Sequence, residues 1–182
     1  MTFAITVTGK DRPGIIAALT EAILQAKGNL EDASMTILEG EFAMIVLAAF
    51  QGKGVYQKLA DRLQKVAGRF RLAVSIKEIK YQLKRGEKHQ KGTIPYVISV
   101  FGKDRAGIVY HVAKLLAARR LNITDLNSKI IGSGEKSAYS LILEVDIPKR
   151  GESLTELKRA LSSIQKRLKV ELAINPVDLI QA

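Results

Sequence analysis

A hexapeptide near the start of the chain, Gly9-Lys10-Asp11-Arg12-Pro13-Gly14, recurs as Gly102-Lys103-Asp104-Arg105-Ala106-Gly107. The offset from Gly9 to Gly102 is 93 residues, and it also aligns Ile15 with Ile108, Asn29 with Asn122, Leu30 with Ile123 and Asp32 with Asp125. Matches this regular mean a duplicated unit, so each half of the chain must fold as the other does. Each copy of the hexapeptide follows a strand-like run and opens a helix-like run. That puts a tight turn, partly glycine, at a helix N-terminus. The first N–H groups of a helix have no intrahelical partner, and the dipole adds partial positive charge. Such a turn suits a carboxylate or another small anion. A purely structural role is the other reading: Asp11 and Asp104 as helix caps, Gly14 and Gly107 as points of close packing.

The pattern along the first half predicts six elements. Residues 2–8 alternate β-branched and aromatic side chains as a strand does. After the turn, Ile15, Ile16, Leu19, Ala22, Ile23 and Ala26 recur at helical spacing, and Gly28 reads as the C′ glycine that ends the helix. Residues 30–38 read as a strand, Glu39-Gly40-Glu41 as a hairpin turn and 42–50 as a third strand. The third is so apolar that it reads as a central strand covered on both faces, or on one face and by another surface. A helix from about Gly54 carries Leu59, Leu63 and Val66 on one side and closes at Gly68, and 72–79 is the fourth strand.

Strand, helix, strand, strand, helix, strand is the split βαβ order. Right-handed crossovers then put both helices on one face of a four-stranded antiparallel sheet. The expected fold class is α+β, with two ferredoxin-like βαββαβ units: residues 1–79, a charged connection at 80–93, residues 94–176 and a tail at 177–182. The second unit repeats the strands at 94–101, 122–131, 138–147 and 170–174, with helices from Ala106 and through Leu154, Leu157, Leu161, Ile164 and Leu168. Its turn at 132–136 is longer than its counterpart.

Composition excludes several classes of chemistry. The 182 residues contain no cysteine, which removes disulfides, thiolate zinc sites and cysteine nucleophiles and fits a reducing cytoplasm. The N-terminal run lacks a basic segment and alternates like a strand, unlike a signal peptide. No apolar run approaches the ~18 residues that cross a bilayer, so no membrane association is expected. Of the two histidines, His89 falls in the connection and His111 lies off its helix's apolar stripe, both without a suggested catalytic partner. No nucleophile elbow, paired-histidine spacing or phosphate loop is present. The expectation is a non-enzyme with no metal and no cofactor.

A net charge of +11 admits nucleic acid, acidic proteins or anionic metabolites as partners. A sheet backed by two helices is also the architecture of RNA-recognition modules, which stack bases on exposed aromatics. Aromatics are 5% of this chain, and the third strands lack the Lys/Arg-Gly-Phe/Tyr pattern. Direct nucleic-acid binding is therefore disfavoured, and a basic nucleic-acid-binding module stands as the alternative reading. The duplicated Asn29 and Asn122 are not needed to start a helix. Each begins a strand and would close an Asp turn from a facing unit, with Asp holding an ammonium group and helix N–H groups a carboxylate.

The sequence strand, Gly-Lys-Asp-Arg-Pro-Gly-Ile, helix, Gly-Asn-Leu-x-Asp, strand resembles the ACT domain family, in both halves. A free-standing tandem pair is similar to the glycine cleavage system transcriptional repressor group. The resemblance implies regulation of amino-acid metabolism through a protein partner, a homo-oligomer, and an amino acid bound where units pair. Carried over residue by residue, the ligand contacts are Asp11, Pro13, Gly14, Ile15 and Asn29, with Asp104, Gly107, Ile108 and Asn122 in the second copy. Ala106 stands where the first copy has Pro13, so the second turn is less rigid.

Overall fold

A strand that alternates apolar with polar residues offers one row of side chains to a core. In β1 (Thr2–Lys10) that row is Phe3, Ile5 and Val7, each at most 2% exposed. The structure, a computed structural model, describes residues 1–52, 54–81, 88–133, 137–151 and 153–177. The rest of the first unit is α1 (Ile15–Gln25), β2 (Gly28–Leu38), β3 (Glu41–Phe50), α2 (Val55–Phe70) and β4 (Ala73–Ile79). The second is β5 (Thr93–Lys103), α3 (Ile108–Ala118), β6 (Asn122–Ile131), β7 (Ala138–Pro148), α4 (Leu154–Leu168) and β8 (Val170–Pro176). The sheets run β2-β3-β1-β4 and β6-β7-β5-β8, with every pairing antiparallel. The chain divides into two compact units, residues 1–83 and 84–182.

Each unit closes its own core. In the first, Ile15, Leu19 and Ile23 of α1 and Leu59 and Leu63 of α2 pack with the β1 row and with Phe42, Val46 and Phe50 of β3. In the second, Ile108, Val112 and Leu116 of α3 meet Leu157 and Leu161 of α4 over Ile98, Val100, Leu141, Leu143 and Val145. The βαββαβ order, the antiparallel sheets and the helical layer agree with the pattern read from the sequence.

Several local features differ, each for a physical reason. The first two residues of the hexapeptide are strand, not turn: Gly9 pairs with Phe42 and Lys10 with Glu41, as Gly102 pairs with Tyr139 and Lys103 with Ala138. Gly28 is not the left-handed residue after α1; Lys27 is, with φ 60°. Gly28 opens β2 against Phe50, whose ring would sit 2.3 Å from an added Cβ. Gly68 lies inside α2, which runs to Phe70 and ends on left-handed Arg71. Of the two readings of β3, coverage on both faces is not seen: Phe42, Met44, Val46, Ala48 and Phe50 are buried on one face while Ile45 on the other is 53% exposed. β8 reaches Pro176, beyond the expected end of the last strand. Residues 134–136 of the longer turn, 82–87 of the connection and 178–182 of the tail lie outside the described residues.

The hairpin at Glu39-Gly40 has positive φ at both residues, 50° and 83°, the combination that matches strand twist in a two-residue loop. Both β2 and β6 carry a bulge at equivalent points, between Leu30 and Asp32 and between Ile123 and Asp125. The repeated Asn-Leu/Ile-x-Asp thus marks a duplicated bulge, where one extra residue re-aims the strand.

Candidate functional site

The turn after β1 is built from main-chain geometry. The Asp11 N–H donates to Gly40 O at 2.8 Å, tying the turn to the β2–β3 hairpin. Gly14 takes φ 93° as the N-cap of α1, a left-handed conformation that a Cβ resists. α1 has no side-chain cap, so Asp11 does not serve as one. The second copy repeats this: Gly107 has φ 93° at the N-cap of α3, again without a side-chain cap, and Asp104 does not serve as one either. Among the four described helices, only α4 starts with a side-chain cap, the Glu156 N–H donating to Ser153 Oγ at 3.3 Å. The cap expected of Asp11 and Asp104 is replaced by a glycine that turns the chain by itself. Asp11 and Asp104 stay exposed on the turns that lead into helices whose first-turn N–H groups have no intrahelical acceptor.

The structure separates the nine expected ligand residues into three kinds. Asp11, Pro13, Gly14, Asp104 and Gly107 are exposed on the turns. Ile15 and Ile108 are 1% and 2% exposed, with their side chains within the two cores. Asn29 and Asn122 are exposed but distant. Asn29 pairs with Ala49, which pairs with Thr2, whereas the Asp11 turn follows Lys10 at the other end of β1. Eight strand residues separate those ends by about 26 Å. In the second unit Asn122 pairs with Asp146 beside Pro95, likewise far from Lys103. Asn29 instead lines a groove of about 460 Å³ on the flank of α1 with Thr20, Leu24 and Leu30. Within a unit, therefore, Asp and Asn do not meet.

Around the second turn the structure adds residues that spacing did not reveal. A groove of about 230 Å³ is lined by Asp104, Arg105 and Gly107 together with Tyr110 and Tyr139. His111 packs its ring against Gly107, where an added Cβ would lie 3.5 Å from His111 Cδ2, and edge-on to Tyr110 at 5.1 Å between centroids. Lys114 Nζ donates to the Tyr110 hydroxyl at 3.2 Å. In the first unit the residue facing Gly14 is Phe70. The two turns therefore share a backbone and differ in their walls, apolar at Gly14 and polar at Gly107. Tyr139 comes from β7, and no local signal links it to a turn 35 residues earlier.

Among the described residues, no cluster of His, Asp or Glu is arranged to hold a metal ion. No described helix is long and apolar enough to cross a membrane.

Comparison with known proteins agrees with the fold. Family models described as ACT domain match residues 1–77 and again residues 96–162. A UPF0237 protein of Pyrobaculum aerophilum is 33% identical over 85 residues, 47% of this chain and 90% of that protein. A UPF0237 protein of Neisseria meningitidis serogroup A is 33% identical over 86 residues, 47% of this chain and 91% of its own. Among solved structures, an unknown protein from Galdieria sulphuraria superposes with a TM-score of 0.79 at 25% identity, over 97% of this chain and 98% of that one. A candidate glycine cleavage system transcriptional repressor superposes at 0.69 with 19% identity, over 97% and 96%, a likeness of fold. With one matching domain in each half and the duplicated turn at the head of each first helix, the chain belongs to the ACT domain family as a tandem of two ACT domains.

Proposed function

We propose that this chain is a non-catalytic, cytoplasmic regulatory protein whose ligand is a free amino acid, bound at the Asp11 turn and, with different walls, at the Asp104 turn. Membership of the ACT family supports small-ligand regulation at the level of class. One observation carries the finer reading: an exposed aspartate stands on the turn that leads into an uncapped helix N-terminus, and it does so twice. The N–H groups match the α-carboxylate of an amino acid, and the aspartate matches its ammonium group. Asn29 and Asn122, remote from the turns of their own units, would be supplied to a turn by another unit in a homo-oligomer. Exposed apolar residues on the edge strands support such association: Ile37 and Leu38 of β2 are 48% and 60% exposed, Ile130 and Ile131 of β6 61% and 52%. The liganded form would act on amino-acid metabolism through a protein partner; transcription of the glycine cleavage system is the process suggested by one fold relative.

Titration calorimetry with the common amino acids, beginning with glycine, tests the reading. Asp11→Ala should abolish the tighter binding event and Gly14→Val should block it sterically, while Asp104→Ala removes a weaker one. Unchanged affinity in all three variants would reduce the motif to a helix start.

A further inference from the structure

The first unit carries a second concave surface, remote from the hexapeptide turn. It is a groove of about 580 Å³ at the far end of the α1–α2 pair, within the size range of small-molecule sites. Among the described residues, four cations line it: Lys27 from the end of α1, and Lys58, Arg62 and Lys65 from successive turns of α2. Gln25 and Gln51 complete its polar walls, and Asp61 is its one carboxylate. Asp61 accepts from Gln57 Nε2 at 2.8 Å and keeps its charge, so the lining stays net positive after offsetting one cation. Among the described residues Lys27, Lys58 and Lys65 form no ion pair. Arg62 is half-buried, and its guanidinium donates to Gln25 Oε1. Gln25 is itself held by donating to Glu21 Oε1 at 2.9 Å. That chain of contacts orients the arginine fork across the helix pair and leaves further N–H donors for an oxyanion.

The duplication supplies an internal control. Gly9 packs on Leu72 as Gly102 packs on Val170, and Arg71 and Lys169 both end their helices in the left-handed conformation. This aligns α2 with α4 at an offset of 98 residues, from Leu72 to Val170. Lys58, Arg62 and Lys65 then correspond to Glu156, Ala160 and Ser163, and Asp61 to Arg159. Lys27 corresponds to Arg120, left-handed in both copies. The second unit builds the same helix pair without the three α2 cations, so the fold does not require them.

We propose that the α1–α2 groove of the first unit, through Lys27, Lys58, Arg62 and Lys65, binds a linear polyphosphate group. Charge repulsion among four cations around one depression is relieved by a multiply charged anion rather than by a single carboxylate. The guanidinium fork matches a pair of phosphate oxygens, and the lysines act as mobile point charges along the groove. Among the described residues no aromatic side chain lines it, so these walls offer no base-stacking platform, and the recognised part is the phosphate chain. The chain is either free or the tail of a nucleotide.

Inorganic tripolyphosphate titrated into the full chain by calorimetry at near-physiological ionic strength provides the test, with ATP as the second arm. Tripolyphosphate should bind, and the Arg62→Ala/Lys65→Ala double variant should weaken it by about tenfold or more. Circular dichroism should show the double variant folded. A control that removes the same charge from side chains outside the groove lining, Lys166→Ala/Arg167→Ala, should leave affinity within about twofold, since neither contacts the bound anion directly and exposed charges are screened by salt. ATP binding as tightly as tripolyphosphate would identify a nucleotide tail as the source; ATP binding much more weakly would identify free polyphosphate. No binding of tripolyphosphate, or an equal loss in the control variant, overturns the proposal. So does a random single-stranded oligonucleotide that binds more tightly than either anion and is lost in the same double variant, because the face would then serve nucleic acid.

Discussion

Nδ1 of His89 lies 2.8 Å from Oδ1 of Asp146, and Asp146 Oδ2 accepts from the Gln90 N–H at 2.8 Å. Both oxygens of one carboxylate therefore hold the segment that leads into β5. Asp146 is 2% exposed, the one buried charged residue among those described. Thr93 donates its N–H and its hydroxyl to Gln90 O, and Lys149 N–H donates to Gly92 O. Residues 88–92 are thus fastened to the second unit, although their composition reads as a featureless connection. Removing a buried acceptor with two partners leaves both uncompensated. Asp146→Ala should destabilise the second unit by about 2 kcal/mol. Hydrogen exchange should show faster opening of β5–β8, with β1–β4 unchanged.

The neighbouring contact gives a pH dependence. Lys88 Nζ lies 2.7 Å from Glu144 Oε1, which also accepts from Thr124 Oγ1 at 3.0 Å. The Lys88 hydrogen bond holds the Glu144 carboxyl below its ordinary value near 4.5, and the same bond raises Lys88 above its ordinary value near 10.5. A lowered carboxylate stabilises fully above its ordinary value and loses that contribution as pH falls through its folded value. A raised lysine stabilises fully below its ordinary value and loses that contribution as pH rises through its folded value. The pair therefore contributes across the whole range between about 4.5 and about 10.5. Asp125, Asp146 and His89 face the same pair and add to the field. The stability difference between wild type and Glu144→Gln should shrink as pH falls below about 4.5. Thermal melts as a function of pH check this; added salt should reduce the difference, since Lys88 is 48% exposed.

Gly28→Ala tests the close approach of β2 to Phe50. An added methyl would lie 2.3 Å from the Phe50 ring and 2.9 Å from Ile23 Cγ2. Overpacking of this kind costs about 1–3 kcal/mol. Denaturant melts should show the loss, and Phe50→Leu in the same chain should recover part of it.

Asp11→Ala separates binding from stability. Since Asp11 makes no cap hydrogen bond to α1, its loss should shift stability by less than about 0.5 kcal/mol, against about 1 kcal/mol for a true N-cap. Ser153→Ala, which removes the cap of α4, should cost the larger amount. A parallel thermal-melt comparison of the two variants decides whether the aspartate is retained for the helix or for a ligand.

The constant offset from Gly9 to Gly102 and the alternation in Phe3, Ile5 and Val7 were enough, by themselves, to determine two βαββαβ units with their helices and sheets. Those features depend on spacing of 2 or 3.6 residues within one element, so a linear reading reaches them. The exposed turns at Asp11 and Asp104 were legible for the same reason, because a glycine hexapeptide between a strand and a helix is a local signal. Tertiary structure decided what depends on partners far along the chain. The need for glycine at position 28 comes from Phe50, and the burial of Asp146 comes from His89, 57 residues earlier. The bulges at Glu31 and Thr124 exist only relative to β3 and β7. Asn29 and Asp11 belong to one sequence motif yet sit at opposite ends of a sheet, because α1 carries the chain back along the sheet between them. Lys27 and Lys58 are separated in sequence and share one groove, because α1 and α2 pack side by side. Contacts of this kind are set by the packing of elements against one another, and no periodicity in the chain records them.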